Sequence, residues 1–466
     1  MTIDVLPDEA FLEIFSCYLV EQSKHIEPWI PLVHVCQRWR SIIFASPRRL
    51  DVRVFYTPNR PVKAMLGFWP NLPIQILVNR YQSSRWQGES NVVAALEHTD
   101  RICQIKLDGP CFQLEQIIPA MQKPLPALTS LAIGCSDYDY QQAMPVIPEA
   151  FLGGSAQDLR SCDLLAVEFP GIWKLLLTTN HLVTLGLRNI PYSMHTSPEE
   201  MATCLSTMPH LESLSIAFQP PQSLHHRPDQ PNRLLSPLTR VVLPSLTKFQ
   251  FQVMGEYIED FVSRIDVPLL DKFNIAYFYQ PVFDTHRLHD FLARIDNFKT
   301  PSHSRGIVTF EPSCIKFELE LEPLSFELAI LCRGIRRQVS SMAQLCSSSL
   351  HLPSTLERLD IRGSDYVPLW YRQGEVEDSD PQWLDLFRPF TGLKDLHLRR
   401  GIAQPCALAL RDLSEERVTD VLPKLQNLFI ESFETLGPTR EALGRFVAMR
   451  QLSGPPVVLR SWDGLL

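Results

Sequence analysis

Ten times after residue 100 the chain repeats one short pattern, in which an apolar residue is followed by another three positions on and a third two positions after that. The copies are Ile102, Ile105, Leu107; Leu128, Leu131, Ile133; Leu182, Leu185, Leu187; Leu211, Leu214, Ile216; and Leu246, Phe249, Phe251. They continue as Leu270, Phe273, Ile275; Cys314, Phe317, Leu319; Leu356, Leu359, Ile361; Leu393, Leu396, Leu398; and Leu425, Leu428, Ile430. The last two apolar positions of each copy have the two-residue period of a strand with one buried face. Copies recur at about 24 to 44 residues, with a weaker one at Leu159–Leu164 filling one gap. A strand returning at that interval cannot bury its face alone, so neighbouring units must stack. The alternative that stays open is a conventional α/β domain with parallel strands.

The pattern resembles the strand portion of leucine-rich repeats, in a degenerate form without the usual Asn or Cys after the strand. The resemblance implies one short strand and a returning helix or loop per unit, laid into a curved parallel sheet. Helical spacing fills the intervals at Glu199–Met208 after Ser197-Pro198, at Glu256–Ile265, at Thr285–Ile295 and, longest, at Phe326–Cys346. Prolines such as Pro126, Pro209, Pro244, Pro268, Pro353 and Pro423 precede strands and mark sharp turns. Two segments read as surface loops, the proline-rich Gln219–Pro231 and the acidic Gln373–Gln382.

Residues 4–50 follow a different rule. Pro7 suits the first turn of a helix, and Asp8 and Glu9 suit its positive end. Leu12, Phe15 and Leu19 then share one face, and Phe11, Ile14 and Tyr18 an adjacent one, so this helix needs more than one burial partner. After the polar break at Glu21–Glu27, Pro31 opens a second predicted helix whose apolar stripe is Leu32, Val35, Cys36, Trp39, Ile42 and Ile43. The order Leu6-Pro7-Asp8-Glu9, then Val35-Cys36-Gln37-Arg38-Trp39-Arg40 and Ser46-Pro47, resembles the F-box, a helical module that joins the Skp-type linker of cullin-RING ubiquitin ligases. The match covers about the first 50 residues and departs at its end, where Leu50-Asp51 replaces the frequent Leu-Trp. By resemblance, Leu6, Pro7, Leu12, Phe15, Val35, Cys36 and Trp39 form or support the linker-binding surface. The expected fold is therefore α/β. It has an F-box-like helical module at 1–50, a connecting segment with first strands at 51–100, and an irregular leucine-rich-repeat-like solenoid with a curved parallel sheet at 101–466.

Composition removes several other readings. A hydrophobic content of 45% with 21% charged residues is globular. The formal charge of −8 shows no basic footprint for nucleic acid. No basic start precedes an apolar leader, and no apolar run approaches the roughly 20 residues that cross a bilayer. Eleven cysteines, without a Cys-x-x-Cys pair, fit buried reduced thiols better than a disulfide framework, and Cys103 and Cys111 around the Gly109-Pro110 turn fit packing. The expectation is a soluble intracellular protein.

Chemistry-bearing constellations are not legible. His225 and His226 are adjacent without a metal-spaced partner, Gly153-Gly154 lacks the rest of a phosphate loop, and no Gly-x-Ser-x-Gly elbow occurs. The chain is expected to be no enzyme and to need no cofactor or metal. The residues between the apolar repeat positions face away from the core and align from strand to strand. Toward the C-terminus that row becomes charged, with Arg358, Asp360 and Arg362, then Asp395, His397 and Arg399, then Asn427, Phe429 and Glu431. Arg358, Arg362, Arg399 and Phe429 are the candidate contacts to a protein substrate, since arginine and aromatic side chains anchor interfaces. The expected function is a substrate-recognition adaptor whose partners are the Skp-type linker, the cullin-RING core and an unidentified protein. The alternatives are a scaffold whose helices merely cap the repeats and, more remotely, an enzyme with a site assembled from distant residues.

Overall fold

The computed structural model describes residues 6–22, 27–57, 67, 69, 71–78, 89–138, 143–191, 194–220, 240–295, 305–321, 324–348, 352–363, 382–413, 418–431 and 437–462. Most of the predicted loop at 219–231 and nearly all of the acidic loop at 373–382 lie outside the described residues. The chain is α/β with mostly parallel strands, and it divides into two compact units. The first comprises Met1–His195 with Thr207–Leu211, and the second Thr196–Ser206 with Glu212–Leu466. Among the described residues no helix is long and apolar enough to cross a membrane.

The first unit opens with three helices, α1 (Asp8–Glu21), α2 (Ile30–Val33) and α3 (Gln37–Ala45). The strands β1 (Val54–Tyr56), β2 (Ile74–Val78), β3 (Ile102–Gly109), β4 (Ser130–Cys135), β5 (Ser161–Leu165) and β6 (Thr184–Ile190) follow, each parallel to the one before. Helices α4 (Glu89–Leu96), α5 (Cys111–Ile117) and α6 (Ile172–Leu176) lie between them in sequence. Register explains why the repeat pattern needs stacking. Ile76, Ile105, Leu131, Cys162 and Leu185 fall opposite one another, as do Val78, Leu107, Ile133, Leu164 and Leu187. All ten are buried, so each apolar position is covered by the equivalent position of the next strand.

The second unit holds β7 (Ser213–Phe218), β8 (Val241–Val242), β9 (Lys248–Val253), β10 (Ile265–Asp266), β11 (Lys272–Phe278), β12 (Arg305–Phe310), β13 (Ile315–Leu321) and β14 (Leu324–Leu331). It ends with β15 (Arg358–Gly363), β16 (Asp395–Leu398), β17 (Asn427–Glu431) and β18 (Val458–Trp462). Its helices are α7 (Pro198–Leu205), α8 (Gly255–Ser263), α9 (His286–Arg294), α10 (Ile335–Ser348), α11 (Leu352–Thr355), α12 (Gln382–Phe387), α13 (Arg400–Arg411) and α14 (Gly437–Ser453). Helix α7 starts where Ser197-Pro198 announced it, with the Ser197 hydroxyl and Glu200 carboxylate closing a reciprocal cap. The apolar rows continue here as aromatic stacks. Phe249 and Phe273 lie 5.5 Å apart at 12°, and Phe273 and Phe326 lie 5.7 Å apart at 20°.

Two expectations about this unit change. Phe326–Cys346 is not one helix, because Phe326–Leu331 lies in β14 and the helix begins at Ile335. Phe326, Leu328 and Ile330 alternate inward, so the two-residue period prevails over the helical one before the Gly334 turn. The sheet is also not wholly parallel. Strand β13, which contains the Phe317–Leu319 copy, runs antiparallel between β12 and β14, whereas β14 joins β11 and β12 joins β15 in parallel. Gly306 sits in the apolar row beside Leu359 and Phe317, and a Cβ there would press to 2.7 Å from Leu356. The short connections of a double hairpin permit this reversal where a crossover helix would not.

A third expectation falls in the first unit. Cys111 and Cys135 are joined as a disulfide, although the composition suggested reduced thiols throughout. Their proximity is a property of the sheet and cannot be read from spacing along the chain. The other nine cysteines are not disulfide-bonded.

A candidate docking surface and a polar strand face

The helical module is built around one aromatic wedge. Trp39 of α3 meets Phe15 at 4.8 Å and Phe11 at 5.8 Å, both edge-on, which locks α3 onto α1. Arg38 fastens the ends of the same helices. Its guanidinium donates to the Leu6 carbonyl at 2.6 Å and to the Asp8 carboxylate at 2.7 Å, and it lies 4.8 Å from the Phe11 ring centroid. Arg38 is not among the residues of the predicted apolar stripe, and periodicity alone does not reveal its staple role.

The predicted second helix is broken, and the break matters for the surface. Cys36 is extended, its sulfur facing the Trp39 N–H, so α2 ends at Val33 and α3 starts at Gln37. Val35 and Cys36 consequently leave the apolar stripe and are exposed, Val35 by 59%. The seven sequence candidates thus separate. Leu6, Pro7, Val35 and Cys36 are exposed, Leu12 and Phe15 are buried within the module, and Trp39 is half-buried between the two groups. Because Arg38 ties Leu6 and Asp8 to the start of α3, the exposed residues at the two helix starts are neighbours. Ile14 and Val20 of α1 add exposed apolar surface, Val20 by 71%.

The same module also covers a sheet edge. Glu27, buried, accepts the Phe55 N–H of β1 at 3.0 Å, and the Trp29 indole donates to the Arg53 carbonyl at 2.9 Å. Trp29 is itself held against Trp69 at 5.0 Å and Phe44 at 6.1 Å. Backbone groups that would otherwise offer an open edge are therefore occupied by side chains from the helical segment. Trp29 falls between the polar break at Glu21–Glu27 and the stripe that starts at Leu32, so periodicity assigned it to neither.

In the second unit the outward positions of β12 to β18 form a ladder across strands. Asp360, His397, Phe429 and Arg460 fall in one row by register. Arg305 donates to the Asp360 carboxylate at 3.0 Å and to Glu320 at 3.2 Å, while Arg358 reaches Asp360 at 3.2 Å. His397 and Phe429 stack at 4.1 Å and 8°, with the Arg460 guanidinium 5.8 Å from the Phe429 centroid. The row is therefore not uniformly open, since Asp360 and His397 are buried among their neighbours. Burial pushes His397 down to about 4, so the ring is neutral at physiological pH and stacks as an uncharged aromatic.

The four substrate candidates sit differently from one another. Arg358 is committed to Asp360, and Arg362 donates to the Thr309 hydroxyl at 2.9 Å and approaches Glu318 at 3.6 Å. Arg399 precedes α13 and is half-buried, and its N–H donates to the Ile361 carbonyl at 3.0 Å. Phe429 is half-buried, and the sequence reading did not include its neighbour Arg460, which is exposed. No protein-family model matches the chain, and no curated protein matches it.

Proposed function

We propose that this protein is a substrate-recognition adaptor of an SCF-type cullin-RING ubiquitin ligase, with an F-box-like module at its N-terminus and leucine-rich-repeat-like strands behind it. The observation that carries the reading is the exposed apolar group at the starts of the two stapled helices, Leu6, Pro7, Val35 and Cys36. Apolar side chains left at the starts of two stapled helices suit a partner helix better than water. Leu12 and Phe15 then act from beneath, as core, with Trp39 holding the two helices in register. The strand-bearing region presents a protein substrate, and its contribution is effective concentration near the ubiquitin-loaded enzyme, without chemistry of its own. Phe429 and Arg460 are the outward contacts to which recognition is assigned, because Arg358 and Arg362 already serve ion pairs within the ladder.

A second reading has its own observation. Glu27 and Trp29 close the edge at Arg53 and Phe55, which supports a module that caps the strands and joins no ligase. Co-purification of the full chain with a Skp-type linker separates the two. The adaptor reading expects wild type to retain the linker and Leu6→Asp with Val35→Asp to lose it, with thermal melting unchanged because both positions are exposed. Failure of the wild-type chain to retain the linker leaves the capping role alone.

A further inference from the structure

We infer that Cys111 and Cys135 form a reversible thiol–disulfide site that takes small-molecule disulfides and clamps the start of α5 to the end of β4. The pair is prearranged by the sheet. Gly109 of β3 lies opposite Cys135 of β4 in the parallel register, and Cys111 follows Gly109 after a single proline. The two Cα atoms are 5.0 Å apart, within the range a disulfide spans. The β3–β4 ladder sets that separation, so the sulfurs remain neighbours when the bond is open and closure has little chain entropy to overcome.

The surroundings provide for both states. The Asp137 carboxylate accepts the Cys111 N–H at 2.8 Å, a bond between the same two segments that does not depend on the oxidation state of the sulfurs. The same oxygen lies 3.3 Å from the Cys135 sulfur, where it can accept the S–H once the disulfide is reduced. Both cysteines are buried, but Asp137 and Phe112 beside them are exposed, so a small disulfide approaches from the Asp137 side more readily than a protein does. Cys17 and Cys36 stand exposed and free in the same unit. They are an internal standard for non-selective thiol oxidation.

The exchange balances as follows. A thiolate sulfur of one cysteine attacks a disulfide R–S–S–R, whose S–S bond breaks to release R–S⁻ and leave a mixed disulfide. The second cysteine sulfur then attacks the protein-bound sulfur, the Cys111–Cys135 bond forms, and a second R–S⁻ departs. Two electrons pass from the cysteines to the small disulfide, and the two thiol protons end on the released thiols. The bond closes a loop with a sequence separation of 24, and it fixes a helix start to a strand end.

The full chain is equilibrated in glutathione buffers of graded oxidised-to-reduced ratio, alkylated, and mapped by mass spectrometry, with melting recorded in parallel. Cys111 and Cys135 are expected to change state together, at ratios where Cys17 and Cys36 remain alkylatable. The oxidised wild type should melt roughly 5 °C above the reduced form. That gap should vanish in Cys135→Ser and, independently, in Cys111→Ala, and dithiothreitol should reverse it in wild type. The inference is overturned if the pair stays reduced across the series, if it is oxidised only alongside the exposed cysteines, or if a mapped Cys111–Cys135 bond leaves the melting temperature unchanged.

Discussion

Replacing Glu259 with Gln should flatten one component of the pH dependence of stability. Helix α9 has no side-chain cap of its own at Thr285, and Glu259 reaches across from α8 to fill the role. Its carboxylate accepts the Arg287 N–H at 2.7 Å and the Leu288 N–H at 3.1 Å. Burial nevertheless dominates, with help from nearby Asp284, and pushes its pKa from 4.5 up to about 7 against the pull of those two donors and the Arg287 charge. The unfolded chain therefore releases this proton near 4.5, whereas the folded chain keeps it until about 7. Between those values the folded state holds more protons, so stability falls as pH rises through the window and levels off above it. The difference between the two pKa values corresponds to roughly 3 kcal/mol. Urea unfolding of wild type and Glu259→Gln at pH 5, 6, 7 and 8 isolates the effect as the difference between the two proteins. That difference should move against wild type by roughly 2–3 kcal/mol from the lowest to the highest pH. Exchange of the Arg287 and Leu288 amides supplies a local readout. A difference that is flat, or that favours wild type as pH rises, refutes the assignment of a buried proton to Glu259.

Arg450 is fully buried and donates to the carbonyls of Val418, Leu422 and Pro423, in a turn where Leu422 has a φ of 52°. Arg450→Ala strands those acceptors and should cost about 3–5 kcal/mol in chemical denaturation, while Arg450→Lys recovers part of the loss. Gly392 lies against the Ser354 carbonyl, with no room for a Cβ. Gly392→Ala should therefore lower stability by about 1–3 kcal/mol, measured by the denaturation midpoint, while Gly437→Ala, which meets open space, should not.

The strands that carry the repeat copies were legible because their signal is local, whereas β8, β10, β12 and β18 carry no such copy and were not read. Each apolar triplet has the period of a strand in isolation, and every quoted copy overlaps a strand of the structure. Helix starts with an explicit chemical signal, such as Ser197-Pro198, were legible for the same reason. Strand β14 was not, since Phe326–Leu331 is apolar enough to suit a helix, and only its pairing with β11 and β13 decides otherwise. The reversal of β13 was invisible too, because an alternating pattern carries no direction.

The candidate surfaces show where local information ends. The sequence alone established an α/β chain of recurring strands and an N-terminal helical module with Leu6-Pro7 and Trp39 at its ends. It could not tell that Phe15 and Leu12 turn inward while Val35 and Cys36 turn outward, because the Cys36 break rotates those residues off the helical stripe. Nor could it tell that Arg358 is spent on Asp360, that His397 is buried and neutral, or that Cys111 meets Cys135. Periodicity fixes which face of an element a side chain takes. What stands opposite that face depends on residues tens of positions away, and tertiary packing alone brings them within bonding distance.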